Sequence, residues 1–311
     1  MSQFHAKVSE QPFAAKKYLD IHGHRMAYVD EGEGPPIVLQ HGNPASSYLW
    51  RNVMRHLKGQ GRLIAADFMG MGDSEKLDPA LGVSRYSFNE QRKYLHGLWD
   101  ALDLGNEVIL VLHDTGSMFG FDWANQHRNR VQGIAYMESI VAPLLISDFP
   151  DHVQAQLRQM TPEGLEASLQ GLDFLEGFLL GAREFSDVEK AQYRAPFLQP
   201  GEDRRPMISF DLPIEGQPAH TVQIAEDYSR WLGQSDVPKL LIRAEPGYLL
   251  TNRLYGIAKT WPHQIEVTVK GSHYLQETTP DEVGAAIAGF VRGLRSQAQV
   301  THGLPPRSRL A

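Results

Sequence analysis

An aspartate stands where a buried strand runs directly into a helix. In Leu110-Val111-Leu112-His113-Asp114-Thr115-Gly116-Ser117 the apolar run ends at Asp114 and a helical pattern follows. A sharp strand-to-helix turn pushes one side chain into a site beside a helix N-terminus. The free N–H groups and the dipole there favour a carboxylate, and also the charge that develops when a carboxylate attacks. The chemistry expected is nucleophilic catalysis by Asp114. The same residue alone also fits a plain helix N-cap, so its companions decide. Ser117 is not the nucleophile, because Thr115-Gly116-Ser117-Met118-Phe119 is not Gly-x-Ser-x-Gly and places Ser117 inside the helix. Asp114-Thr115-Gly116 spells the triplet of aspartic proteases, but those enzymes need two such aspartates sharing a proton, and the chain has one.

A carboxylate nucleophile that forms an ester needs a base to hydrolyse it and an acid to orient that base. Gly271-Ser272-His273 follows a strand-like run late in the chain and offers the base; with 13 histidines present, position alone proves little. Glu138 follows the run Gly133–Met137 and Glu245 follows Lys239–Arg243. Either could hold the imidazole, and the residues alone leave both open. His41-Gly42-Asn43-Pro44 closes another strand with the Gly and Pro of a turn. Asp67-Phe68-Met69-Gly70-Met71-Gly72-Asp73-Ser74 is an incomplete dinucleotide fingerprint and reads as a structural turn. His22, His24, His96, His127 and His152 show no metal-ligand spacing, so no metal site is expected.

The elements that must carry these residues follow from the apolar runs. Pro36–Gln40, Leu63–Ala66, Val108–Leu112, Gly133–Met137, Lys239–Arg243 and Ile265–Val269 read as strands, with helical patterns such as Asn89–Leu102 and Met118–Gln126 between them. Strands alternating with helices predict a mostly parallel sheet flanked by helices. Between Pro143 and Ala219 the alternation breaks, with helical segments punctuated by Pro150, Pro162, Gly171 and Gly181. An insertion there would sit at the carboxyl ends of the strands, where open α/β sheets bind ligands. The expected organisation is a core of 1–142 and 220–297, a helical lid of 143–219 and a flexible tail of 298–311.

At 311 residues, with 42% apolar and 22% charged residues, the composition is that of a globular enzyme. Net charge is −7, from 30 basic and 37 acidic residues without a basic stripe, so no nucleic-acid partner is expected. The absence of cysteine excludes disulfides and thiol catalysis. Met1–Lys17 lacks the apolar run of a signal peptide, and no stretch is apolar for long enough to span a membrane. The expected compartment is the cytoplasm, with the periplasm left open.

Taken together, the motifs resemble the haloalkane dehalogenases of the α/β-hydrolase fold, and most closely the subgroup that degrades hexachlorocyclohexane. The resemblance rests on His41–Asn52, His113-Asp114-Thr115-Gly116-Ser117, Gly120–Ala124, Tyr136-Met137-Glu138, Arg204-Arg205-Pro206, Ala244-Glu245-Pro246-Gly247 and Gly271–Glu277, and runs from about Lys17 to Arg295. It implies that Asp114 displaces halide to form an alkyl ester, which His273 hydrolyses with water. It favours Glu138 over Glu245 as the acid. Backbone N–H groups near Asn43 and Thr115 would hold the oxyanion, and the Asn43 side chain would donate to the halide. The implied partners are a small apolar halogenated substrate, water and halide, with no cofactor, in a monomer or small homo-oligomer. Phe149, Leu157, Phe174, Phe210, Tyr248 and Leu249 are the expected pocket wall.

The chain departs from this pattern at Thr115, where the family has a tryptophan whose indole N–H is the second halide donor. The insertion holds no tryptophan that could replace it, and has Phe210-Asp211 where relatives tend to have Trp-Pro. Alternatives on the same scaffold are an epoxide hydrolase, which normally needs two lid tyrosines where this lid has Tyr193 alone, a luciferase-like oxygenase, and a non-enzymatic binding protein.

Overall fold

The computed structural model describes residues 8–303. Its centre is one eight-stranded sheet of β1 (Lys17–Ile21), β2 (His24–Glu31), β3 (Pro36–Gln40), β4 (Arg62–Ala66), β5 (Val108–Asp114), β6 (Val131–Ser139), β7 (Lys239–Pro246) and β8 (Gln264–Gly271). The order is β1-β2-β4-β3-β5-β6-β7-β8, with the β1–β2 and β2–β4 pairs antiparallel and the remaining pairs parallel. The six strands expected from apolar runs are all present. The β1–β2 hairpin had no such run. Its signal is a two-residue turn at His22-Gly23, both with positive φ, which is the geometry that matches the twist of a hairpin.

The helices are α1 (Phe88–Ala101), α2 (Gly116–Gln126), α3 (Asp151–Gln159), α4 (Pro162–Ser168), α5 (Asp187–Arg194), α6 (Ala219–Leu232), α7 (Asn252–Ala258), α8 (Leu275–Thr278) and α9 (Pro280–Gly303). Successive strand residues point to opposite faces of the sheet. Val38, Leu110, Leu112, Ile134 and Tyr136 therefore enter one apolar cluster, shared with α1, α2 and α6. Ile37, Leu39, Ile109, Val111, Ala135 and Met137 enter another, closed by Val283, Ile287 and Val291 of α9. Because both faces are covered, β3 and β5 read as unbroken apolar runs instead of alternating ones.

The segment between β6 and α6 contains α3, α4, a π-helical turn at Leu175–Leu179, α5, and 3-10 turns at Ala195–Phe197 and Glu202–Ile208. Its β pairing among the described residues is limited to isolated bridges, and one of these, Leu144 to Ile214, ties its two ends together. Of the expected tail at 298–311, the described residues 298–303 are helical. Helix α9 continues to Gly303, because no proline interrupts it before Pro305; residues 304–311 lie outside the described ones. Among the described residues no helix is long and apolar enough to cross a membrane.

Candidate active site

Asp114 is the last residue of β5, and α2 starts two residues later. Its φ of 51° is in the left-handed region, a strained position for a residue with a side chain, and one that a close-packed turn must enforce. Two glycines make the turn possible. A Cβ on Gly42 would lie 2.2 Å from Asp114 Oδ1, and one on Gly116 would lie 2.2 Å from the His41 carbonyl oxygen. The His41–Pro44 loop thus lies directly against the turn. From there the Asn43 N–H donates to Asp114 Oδ1 at 2.9 Å, and the neighbouring Thr115 N–H helps to lower the pKa of the carboxyl. Ser117, inside α2, ties the turn instead of entering it. Its hydroxyl donates to the Asp114 carbonyl at 2.5 Å and accepts from the Ile140 N–H at 2.9 Å.

His273, in the loop after β8, faces two carboxylates. Its Nδ1 lies 3.2 Å from Glu138 Oε2, and its Nε2 lies 3.3 Å from Asp114 Oδ2 without a well-aligned hydrogen bond. Glu138 is fully buried and also accepts the N–H groups of Tyr248 at 3.1 Å and Leu249 at 2.7 Å. It stands at a β-bulge: His113 pairs with Met137 and Asp114 with Ser139, so Glu138 is the skipped residue, with a φ of 45°. Bulges of this kind re-aim a side chain. Glu245 is elsewhere. It pairs with Lys270 in the sheet, its side chain is 64% exposed, and Arg243 lies 3.9 Å away. Of the two acids open in the sequence, the structure brings Glu138 to the imidazole.

Electrostatics follow from this packing. Burial works to raise the Asp114 pKa, but the close approach and positive charge of the His273 imidazole pull it down to about 2. Burial works to lower that of His273, but the carboxylates of Asp114 and Glu138 raise it to about 9. His113 and His41 are pushed down, to about 3 and about 4, chiefly by burial. They are neutral scaffolding: His113 Nε2 bonds the His273 carbonyl at 3.0 Å, and His41 bridges the Gly42 carbonyl and the Phe68 N–H.

Three polar groups around the carboxylate keep unused capacity. Thr115 is 3% exposed, and its hydroxyl has no partner among the described residues. Asn43 Nδ2 donates to the Met207 carbonyl at 2.7 Å, which occupies one of its two hydrogens. Oδ1 of the same side chain is buried without a partner among the described residues. A buried donor aimed at nothing carries a desolvation cost, which an incoming acceptor would relieve.

The residues expected as pocket wall divide. Tyr248 and Leu249 lie against Glu138 through their N–H groups, and the Tyr248 ring is 5.6 Å from that of His273. Phe210 is buried against Phe68 and Phe119. Phe149 is half-buried on the main apolar cluster, and Leu157 is half-exposed on α3. Phe174 is 42% exposed and stacks on Phe178. It is Phe178 that lies over His273, with ring centroids 4.9 Å apart. The sequence reading missed it; its signal was an aromatic pair four residues apart, which a helical turn brings together. Tyr274, whose hydroxyl donates to the Asn43 carbonyl at 3.2 Å, was also missed. Tyr193 bonds Glu277 and is fully buried there.

Comparison with known proteins agrees with this architecture. A family model described as the alpha/beta hydrolase fold matches residues 35–280. A haloalkane dehalogenase of Sphingobium indicum is 55% identical over 290 residues, covering 92% of this chain and 98% of the relative. One of Mycolicibacterium smegmatis is 50% identical over 292 residues, covering 92% and 94%. Among solved structures, the haloalkane dehalogenase DbeA of Bradyrhizobium elkani superposes with a TM-score of 0.84 at 34% identity, over 91% of this chain and 99% of that one. With a strand-turn-helix aspartate, a late histidine and relatives at this identity over nearly its whole length, the chain belongs to the haloalkane dehalogenase family of the α/β-hydrolase fold.

Proposed function

We propose that the protein hydrolyses haloalkanes to alcohol and halide through an alkyl ester on Asp114. The observation that carries this reading is the alignment of carboxylate, imidazole and carboxylate: His273 Nε2 lies 3.3 Å from Asp114 Oδ2, and its Nδ1 lies 3.2 Å from Glu138 Oε2. Asp114 Oδ2 attacks the carbon bearing halogen. The new C–O bond forms as the C–halogen bond breaks, and halide leaves with the electron pair. Oδ1, already held by the Asn43 N–H, becomes the carbonyl oxygen of the ester. In the second step His273 Nε2 takes a proton from water as its oxygen attacks that carbonyl carbon. The resulting oxyanion stays on Oδ1, under the N–H groups of Asn43 and Thr115. Donors fixed where charge develops supply catalysis without reorganisation. Collapse expels the alcohol, which takes back the proton, and restores the carboxylate.

The raised pKa of His273 suits this order of events. In the free protein Asp114 is anionic and holds the imidazole cationic. Esterification removes that charge, so the imidazole loses one of the two carboxylates that raise its pKa and can act as a base. Halide is received by the second Nδ2 hydrogen of Asn43 and by the Thr115 hydroxyl, which has no partner among the described residues. The 143–219 segment serves as the lid, with Phe178 excluding bulk water from His273.

The test is trapping. His273→Phe should still be alkylated but not hydrolyse the ester, so intact mass spectrometry after exposure to 1-iodobutane should show one butyl group, mapped to Asp114. Absence of any adduct with reactive bromides and iodides overturns the two-step reading.

A further inference from the structure

We propose that a buried charge cluster outside the triad, made by Arg51, Arg183, Glu189 and Glu277 with the Tyr193 hydroxyl, is a positioning device for His273, and that it docks the lid at the same point. The proposal rests on the two-step reading above. His273 stands between β8 and α8, and α8 has only four residues. One turn of helix does not hold itself, since nucleation is costly and a single turn gains too few hydrogen bonds. Tertiary contacts must place it, and Glu277 is where they converge.

The contacts are dense. Arg51 grips Glu277 with both terminal nitrogens, Nη1 to Oε1 at 2.5 Å and Nη2 to Oε2 at 2.9 Å, while Nη2 also reaches Glu189 at 2.7 Å. Arg183 Nη2 donates to Glu277 Oε2 at 2.7 Å and to Glu189 Oε1 at 2.5 Å. The Tyr193 hydroxyl donates to Glu277 Oε1. Side chains of Arg51 and Glu277 are fully buried, and Glu189 is 4% exposed. Two cations face two anions, so the cluster is neutral, as a buried set must be to persist. The Tyr48 ring closes it below, 4.0 Å from the Arg51 guanidinium.

Membership crosses the domain boundary. Arg51 and Glu277 belong to the core; Arg183, Glu189 and Tyr193 belong to the inserted segment. Arg183 follows by five residues the π-helical turn's Phe178, whose ring lies on His273. The His273 loop is thus held by the α8 anchor as well as by His113, and the imidazole is covered by a lid residue five positions before the anchoring Arg183. Asp114 touches no member of the cluster and meets the His273 segment only through the imidazole and the Tyr274–Asn43 hydrogen bond. Its position comes from β5, α2 and the Gly42 loop.

The consequence is a separation of the two chemical steps. Loosening the cluster should leave alkylation by Asp114 intact and slow ester hydrolysis by His273. Two variants weaken the lid half while leaving the Arg51–Glu277 pair: Tyr193→Phe, and the charge-neutral double variant Arg183→Met with Glu189→Gln. Rapid-quench single turnovers with 1-iodobutane, read by intact mass, give the two rate constants. Displacing a reacting group by about 1 Å can cost about 100-fold. The double variant should therefore lose roughly ten- to hundredfold in hydrolysis, with alkylation changed less than about threefold, and ester should accumulate. Tyr193→Phe should move the ratio the same way by less. If both constants fall in step, or the ratio stays at the native value, the cluster is merely structural and the proposal is overturned. If His273→Phe itself forms no adduct, the two-step reading fails and takes this proposal with it.

Discussion

Thr115 holds a buried hydroxyl with no partner among the described residues, beside a carboxylate that two N–H groups already serve. It is much shorter than the indole that the family resemblance leads one to expect there. A donor to developing negative charge is worth about 2.7–4 kcal/mol in well-studied anion holes. Chlorides need that help more than bromides or iodides, which leave more readily. Native protein should therefore turn over bromoalkanes much faster than chloroalkanes, and Thr115→Trp should narrow that ratio, as measured by halide release. Thermal melting must accompany the assay, because overpacking a core costs about 1–3 kcal/mol. A native chloride rate equal to the bromide rate shows that some other group completes the halide site. The pH dependence belongs to this scale too. With Asp114 held down to about 2, alkylation should be flat from pH 5 to 9. His273 is raised to about 9 only while Asp114 is charged. In the ester its pKa falls, so hydrolysis should rise with pH and level off well below pH 9. Single-turnover hydrolysis that keeps rising through pH 9 contradicts this. The sign for stability is the reverse: a raised folded pKa stabilises fully below the ordinary 6.5 and ceases to do so as pH rises through about 9.

At the scale of elements, the strand-to-helix turn and the bulge do the aiming. The turn was legible in the sequence, because an apolar run ending in Asp-Thr-Gly can only place the aspartate at the strand's end. Its tightness was not legible, since it depends on the His41 carbonyl, which arrives from 75 residues earlier. A Cβ on Gly116 would meet that carbonyl oxygen at 2.2 Å, and neither backbone can yield cheaply. Gly116→Ala should cost about 3 kcal/mol or more, above the usual overpacking range, and lower the melting temperature by roughly 6–12 °C. An unchanged melting temperature means that the turn has slack. The bulge at Glu138 had no sequence signal at all. A one-residue slip between β5 and β6 is set by how the two strands fit, and it decides which face Glu138 takes.

For the whole molecule, the choice between Glu138 and Glu245 yields a direct comparison. Removing the orienting acid from a triad costs up to about 10⁴-fold in turnover. Glu138→Gln should approach that loss, whereas Glu245→Gln, exposed and remote, should stay near native; steady-state halide release decides, and the opposite order moves the acid to the seventh strand. The sequence by itself determined the parallel sheet, the six strands with apolar runs and the break in their alternation after β6, and it put Asp114 at a strand-to-helix turn and His273 after the last strand. These are local facts: hydrophobic period, turn chemistry and order along the chain. Only the tertiary structure decided that Glu138, the acid the family resemblance favoured, meets His273, that Phe178 and not Phe174 covers the imidazole, and that the Met207 carbonyl occupies one hydrogen of Asn43. Asn43 and Met207 are 164 residues apart, and His273 and Glu138 are 135 apart. Contacts at that separation depend on how whole layers pack, and no periodicity along one chain encodes them.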